Sequence, residues 1–91
     1  MPKIHLPTPL RPFAGGAASV DVPGETVEGA LASLVERHAG LKRHLYDGEG
    51  RLRSFVNVYL NDEDVRYLKY VDTPLNASDK LAIVPSVAGG L

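Results

Sequence analysis

The chain contains no cysteine. That absence excludes disulfides, thiolate metal sites, cysteine-ligated iron–sulfur clusters and a cysteine nucleophile, so any sulfur handled here must ride on another atom. Charge of one sign is also missing: ten Lys and Arg against eleven Asp and Glu give a net charge of −1, without the basic excess that marks a nucleic-acid binder. No apolar run approaches the ~20 residues of a membrane span. Pro2 and Pro7 interrupt the start, where a signal peptide needs an unbroken apolar helix; the expected location is the cytoplasm. Catalytic patterns are absent too. His5, His38 and His44 lack metal-ligand spacing, and Asn61-Asp62-Glu63-Asp64 lacks the carboxylate spacing of a calcium loop. No serine, histidine and acid arrangement stands out, and Gly15-Gly16 lacks the lysine that follows in a phosphate cradle. The expectation is a protein that is not an enzyme, with no metal and no bound cofactor.

What remains is an ordinary globule of 91 residues, 44% hydrophobic and 23% charged, enough for one domain with a small core. Residues 3–6 alternate as a half-buried strand, with Ile4 and Leu6 on one face. Pro7, Pro9, Pro12 and Gly15-Gly16 make residues 7–17 a long loop. A second strand follows at residues 18–22, antiparallel to the first, and Pro23-Gly24 stops it. Thr26 then serves as a helix N-cap, with Glu25 and Glu28 at the positive end of the helix dipole. Val27, Ala30, Leu31, Leu34, Val35 and His38 form one apolar stripe. Gly40 suits the C′ position, so the helix is expected over residues 26–39.

Residues 41–46 add a short helical turn and residues 47–50 a loop. Phe55-Val56-Asn57-Val58-Tyr59-Leu60 alternates again as a strand. A polar turn at 61–64, a short strand at 65–67 and an irregular crossing at 71–77 lead to the last strand, residues 81–84, which Pro85 closes. One helix covers one face of such a sheet. The expected class is α+β, a β-grasp (ubiquitin-like) fold with a mixed sheet of four to five strands and the first and last strands central. The domain spans residues 1–85. Residues 86–91 form a flexible tail whose paired glycines suit a narrow channel, because they lack a Cβ.

Two surfaces stand out. With Val56, Val58 and Leu60 toward the helix, Phe55, Tyr59, Ala82 and Val84 form an apolar surface on the opposite face, beside the root of the tail. Such patches mark interaction sites. Lys42, Arg43, His44, Arg51 and Arg53 make a loose basic region, which reads as a solvated loop rather than a partner site.

Three blocks carry a family resemblance: Leu6-Pro7-Thr8-Pro9-Leu10-Arg11-Pro12, then Phe55 through Arg66, and Val84-Pro85-Ser86-Val87-Ala88-Gly89-Gly90. Together they span the domain, and the chain resembles the ThiS/MoaD family of ubiquitin-like sulfur carriers, most of all those serving cysteine biosynthesis. The resemblance implies that the terminal glycine carboxylate is adenylated by an E1-like enzyme using ATP. It is then converted to a thiocarboxylate that gives its sulfur to an acceptor enzyme such as a cysteine synthase. By that resemblance Val87, Ala88, Gly89 and Gly90 are the tail motif and Gly90 is the functional position. Leu91 departs from the pattern, because Gly90 then has no free carboxylate. Either a peptidase, a metallopeptidase in this reading, cleaves between Gly90 and Leu91, or Leu91 is foreign to the natural chain, or the carrier has lost activation. Cysteine, molybdopterin, thiamin and secondary-metabolite routes all remain open as destinations for the sulfur. A ubiquitin-like modifier, or a β-grasp module that only binds protein, remains the competing class.

Overall fold

The computed structural model describes residues 1–85. Its sheet has five strands: β1 (Lys3–His5), β2 (Ser19–Asp21), β3 (Val56–Leu60), β4 (Glu63–Asp64) and β5 (Lys80–Pro85), in the spatial order β2-β1-β5-β3-β4. Helix α1 (Val27–Arg37) and the single turn α2 (Lys42–Leu45) connect β2 to β3. β1 and β5 pair in parallel, and the remaining pairs are antiparallel. A parallel pair cannot be closed by a tight turn, so the first and last strands are adjacent only because most of the chain runs between them. This is the β-grasp arrangement, with β5 in the middle.

Alternation explains the layers. Ile4 in β1, Val20 in β2, Val56 and Val58 in β3, and Leu81 and Ile83 in β5 are buried; so are Val27, Ala30, Leu31 and Leu34 on α1. Burying one such aliphatic side chain contributes about 1.5–3 kcal/mol. Helix α1 begins where expected: the Thr26 hydroxyl accepts a hydrogen bond from the Gly29 N–H at 3.1 Å. Residues 73–75 stitch that end to the body. Val27 N–H donates to the Thr73 carbonyl at 3.0 Å, and Leu75 N–H donates to the Glu25 carbonyl at 2.8 Å.

Five local expectations are corrected. Residues 7–17 are not all loop, since Thr8–Ala14 form a 3-10 helix ended by Gly15 at φ 66°. Proline supplies the fixed φ of a helical first turn, and Leu10 and Ala14 bury as a result. Helix α1 ends at Arg37 rather than residue 39; Gly40 lies in a 3-10 turn, Ala39–Leu41, that carries Leu41 into the core. Burial of Leu41 outweighs the local cap signal. Residues 65–67 form a 3-10 turn, not a strand, because the Asp64 carboxylate accepts from the Arg66 N–H at 2.9 Å and turns the chain. Pro85 does not stop β5 before itself; it is the last paired residue, opposite Val56. The polar turn expected over residues 61–64 is shorter, because Glu63–Asp64 already pair with β3 as β4. Asn61 and Asp62 take φ values of 47° and 74° between β3 and β4, the left-handed pair that a two-residue hairpin requires. Among the described residues no helix is long and apolar enough to cross a membrane.

Candidate functional site at the root of the tail

β5 delivers the chain to its last residues, so the site is built from β5 and its neighbours. Its alternation turns Leu81 and Ile83 inward and leaves Ala82 half-buried and Val84 exposed on the other face. Register sets the neighbours: Ala82 lies opposite Tyr59 on one side and beside His5 on the other, and Val84 lies opposite Asn57. Ala82 has the smallest side chain in that row. A hollow of about 380 Å³ opens over it, lined by His5, Tyr59, Asn61, Asp62 and Lys80. His5 and Lys80 give this surface a polar edge that strand alternation alone did not single out.

Tyr59, Ala82 and Val84 therefore share one face, as expected. Phe55 does not join them. It is 40% exposed but lines a separate hollow of about 360 Å³ with Leu10, His44, Val56 and Ile83, residues of the helix-side layer. The cause is local. Val56 N–H donates to the Arg53 carbonyl at 3.0 Å, so Phe55 sits in a turn before β3, where period-2 alternation does not apply.

The tail motif Val87, Ala88, Gly89 and Gly90, the Gly90–Leu91 bond and the expected tail flexibility lie outside the described residues. The surroundings of their root do not. Pro85 pairs with Val56, and an Arg66 Nη donates to the carbonyls of Ser54 at 2.9 Å and Val56 at 3.3 Å. The sequence singles out Arg66 only as part of a resembling block; its place is set by the 3-10 turn after β4.

Two groups away from the root of the tail are shifted from their ordinary pKa values. Tyr46 is pushed up by burial, then by Glu28 and Tyr70. Asp47 is pulled below its ordinary value by hydrogen bonds from the Arg51 and Glu49 backbone N–H groups. The first shift follows mainly from burial, the second from the hydrogen bonds of an exposed turn with the Arg51 and Arg53 charges adding to them. His44 packs its ring on Phe13 at 4.2 Å between centroids, and its Nε2 is buried without a hydrogen-bond partner among the described residues. No group of three His, Cys, Asp or Glu that could hold a metal occurs among those residues.

The profile of the ThiS family matches residues 4–90, nearly the whole chain and ending on Gly90. The chain belongs to the ThiS family. Among its relatives is sulfur carrier protein CysO of Mycobacterium tuberculosis, 39% identical over 89 residues, covering 96% of each chain. In three dimensions it resembles a chain of the Amycolatopsis orientalis BexX/CysO complex, with a TM-score of 0.89 and 41% identity over 99% of this chain and 100% of that one. The solution structure of small archaeal modifier protein 1 from Methanosarcina acetivorans is also similar, with a TM-score of 0.86 and 30% identity over 98% of this chain and 95% of that one. These matches agree with the β-grasp topology described above.

Proposed function

We propose that this ThiS-family chain is a sulfur carrier protein, a substrate of other enzymes rather than a catalyst, and that Gly90 is its functional residue once the Gly90–Leu91 bond has been cleaved. The observation that carries the reading is likeness to CysO along essentially the entire chain, together with a family match that ends on Gly90. In the proposed chemistry the Gly90 carboxylate attacks the α-phosphate of ATP on an E1-like partner and pyrophosphate leaves. A sulfur nucleophile then attacks the acyl carbon and AMP leaves, which gives the thiocarboxylate. A carboxylate is a poor electrophile, and adenylation supplies the leaving group it lacks. The carrier contributes no side chain to these steps, consistent with a sequence that has no cysteine. The acceptor is proposed to be a cysteine synthase or an enzyme of a related sulfur pathway. The BexX/CysO complex supports the view that this shape docks on another protein. The setting is proposed to be the cytoplasm.

The decisive experiment compares three forms with the E1-like enzyme, ATP and sulfide: one ending at Gly90, one ending at Leu91, and one ending at position 90 with Gly90→Ala. Intact mass should show oxygen exchanged for sulfur in the first form alone. Near-attack geometry is sensitive to displacements of about 1 Å, costing on the order of 100-fold in rate, so a Cβ at position 90 should be strongly inhibitory. Equal conversion of all three would remove the role of Gly90. Likeness to small archaeal modifier protein 1 favours a second reading, in which the activated tail is joined to protein amines. Isopeptide-linked products, rather than free thiocarboxylate, would select it.

A further inference from the structure

The basic region between α1 and β3, expected to be a solvated loop, is more organised than that. Arg43 and Arg53 line two adjoining hollows. One, of about 470 Å³, also carries Lys42 and Tyr46; the other is the 360 Å³ hollow beside Phe55 and Ile83. Arg53 is half-buried, and its Nε donates to the Arg43 carbonyl at 3.0 Å. That bond holds the guanidinium against α2 and leaves its Nη donors, like those of Arg43, without a partner among the described residues.

Nearby acids offset the pair only in part. Asp47 lines the larger hollow, but one of its oxygens already accepts from Glu49 N–H and Arg51 N–H. Glu49 is paired with Arg51. Among the described residues, Lys42, Arg43 and Arg53 form no ion pair, in a chain whose overall charge is −1. Asp47 is the one acid lining the two hollows, and its carboxyl is drawn down in part by the Arg53 charge; three cations against that single anion leave a local positive excess. Their location is also specific. Ile83 of β5 and Val56, which pairs with Pro85, line the smaller hollow, so the patch adjoins the root of the tail. Exposed Phe55 gives it an apolar wall.

We infer that Lys42, Arg43 and Arg53, with Phe55 beside them, form a docking surface for an acidic segment of the protein that handles the tail. The partner's role rests on the carrier reading above. Residues 86–90 span at most about 18 Å when extended, so a protein enclosing Gly90 comes within reach of this rim. A planar guanidinium binds carboxylate through paired N–H donors, and a prearranged one loses less entropy in doing so. Charges at such a rim act mainly on the rate of encounter and on its salt dependence.

The test has two arms. In the first, 15N-labelled protein is titrated with a hexaglutamate peptide at low salt. Shifts should concentrate at residues 42–44 and 53–55. They should vanish in R43E/R53E, and also in the milder R43Q/R53Q should the reversal impair folding, and should fade at about 0.5 M NaCl, where screening is strong. Absence of shifts, shifts centred elsewhere, or an equal response to oligothymidylate of the same charge would overturn the acidic-peptide assignment. In the second arm, sulfur loading of the Gly90-ended form should show KM raised about tenfold in R43Q/R53Q at low salt, with kcat retained. Unchanged KM and salt dependence, alongside normal loading of the parent form, would overturn the docking role alone. Failure of the parent to load would instead count against the carrier reading, and the peptide arm would still decide the surface.

Discussion

At the scale of the residue, a few positions are fixed by contacts that no local pattern announces. Gly24 is one. A Cβ there would lie 2.5 Å from the backbone N of Ala30 and 2.8 Å from its Cα, far inside normal contact distance. The chain after β2 passes that close to the first turn of α1, and only glycine allows it. Gly24→Ala should therefore displace the helix start and destabilise the fold by about 1–3 kcal/mol, the usual cost of overpacking. Denaturant unfolding would read this directly. Gly48→Ala makes a control, because a Cβ there meets nothing within 4 Å and its φ is not in the left-handed region; an equal loss in both would show that the close approach is unimportant. Leu41 teaches a related lesson. Its complete burial drew the chain into a 3-10 turn and ended α1 two residues earlier than the glycine signal at position 40 indicated.

At the scale of the element, β5 presents two different faces. Its inward residues Leu81 and Ile83 hold the sheet to the helix, and its outward residues Ala82 and Val84 lie in the face shared with Tyr59. Buried and outward residues therefore alternate along a single strand, so the proposed partner face can be changed by mutation without touching the core. Tyr59→Asp and Val84→Asp should remain folded, since neither side chain belongs to the buried core. Both should lose sulfur loading by placing an unpaired charge in an apolar contact. Circular dichroism checks the fold and intact mass checks the loading. Normal loading of both would assign the activating enzyme to another surface. Phe55 belongs with the Arg43 and Arg53 rim rather than with this pair, because its hollow opens toward Leu10 and His44.

At the scale of the whole molecule, sheet and helix share one core. Ile4, Leu31, Leu34 and Leu81 are each fully buried in the same cluster, so neither layer has a separate apolar centre on which to fold. Leu81→Ala, in the central strand, should cost about 2–5 kcal/mol, a large share of the ~5–15 kcal/mol typical of a domain. Loss should be cooperative. Far-ultraviolet circular dichroism, which follows the helix, and the amide NMR signals of β3 and β5, which follow the sheet, should report the same shifted midpoint. Separate midpoints would show that the layers unfold independently.

The sequence by itself determined the elements whose chemistry is local or periodic. The Thr26 cap, the α1 stripe, the inward set Val56, Val58, Leu81 and Ile83, and the Asn61-Asp62 turn were all legible, since cap and turn residues and spacings of 2 and 3.6 act within a few residues. The resembling blocks likewise indicated the family that the profile match then established. Only tertiary structure decided the rest. It bent residues 65–67 into a turn that carries Arg66 to the carbonyls of Ser54 and Val56. It removed Phe55 from the Tyr59 face by placing it in a turn before β3, and it gathered Arg43 and Arg53 beside the end of β5. Those outcomes depend on which distant segments touch. Burial of side chains such as Leu41 and Val65, both fully enclosed, sets those contacts and overrides the short-range preferences of the residues around them.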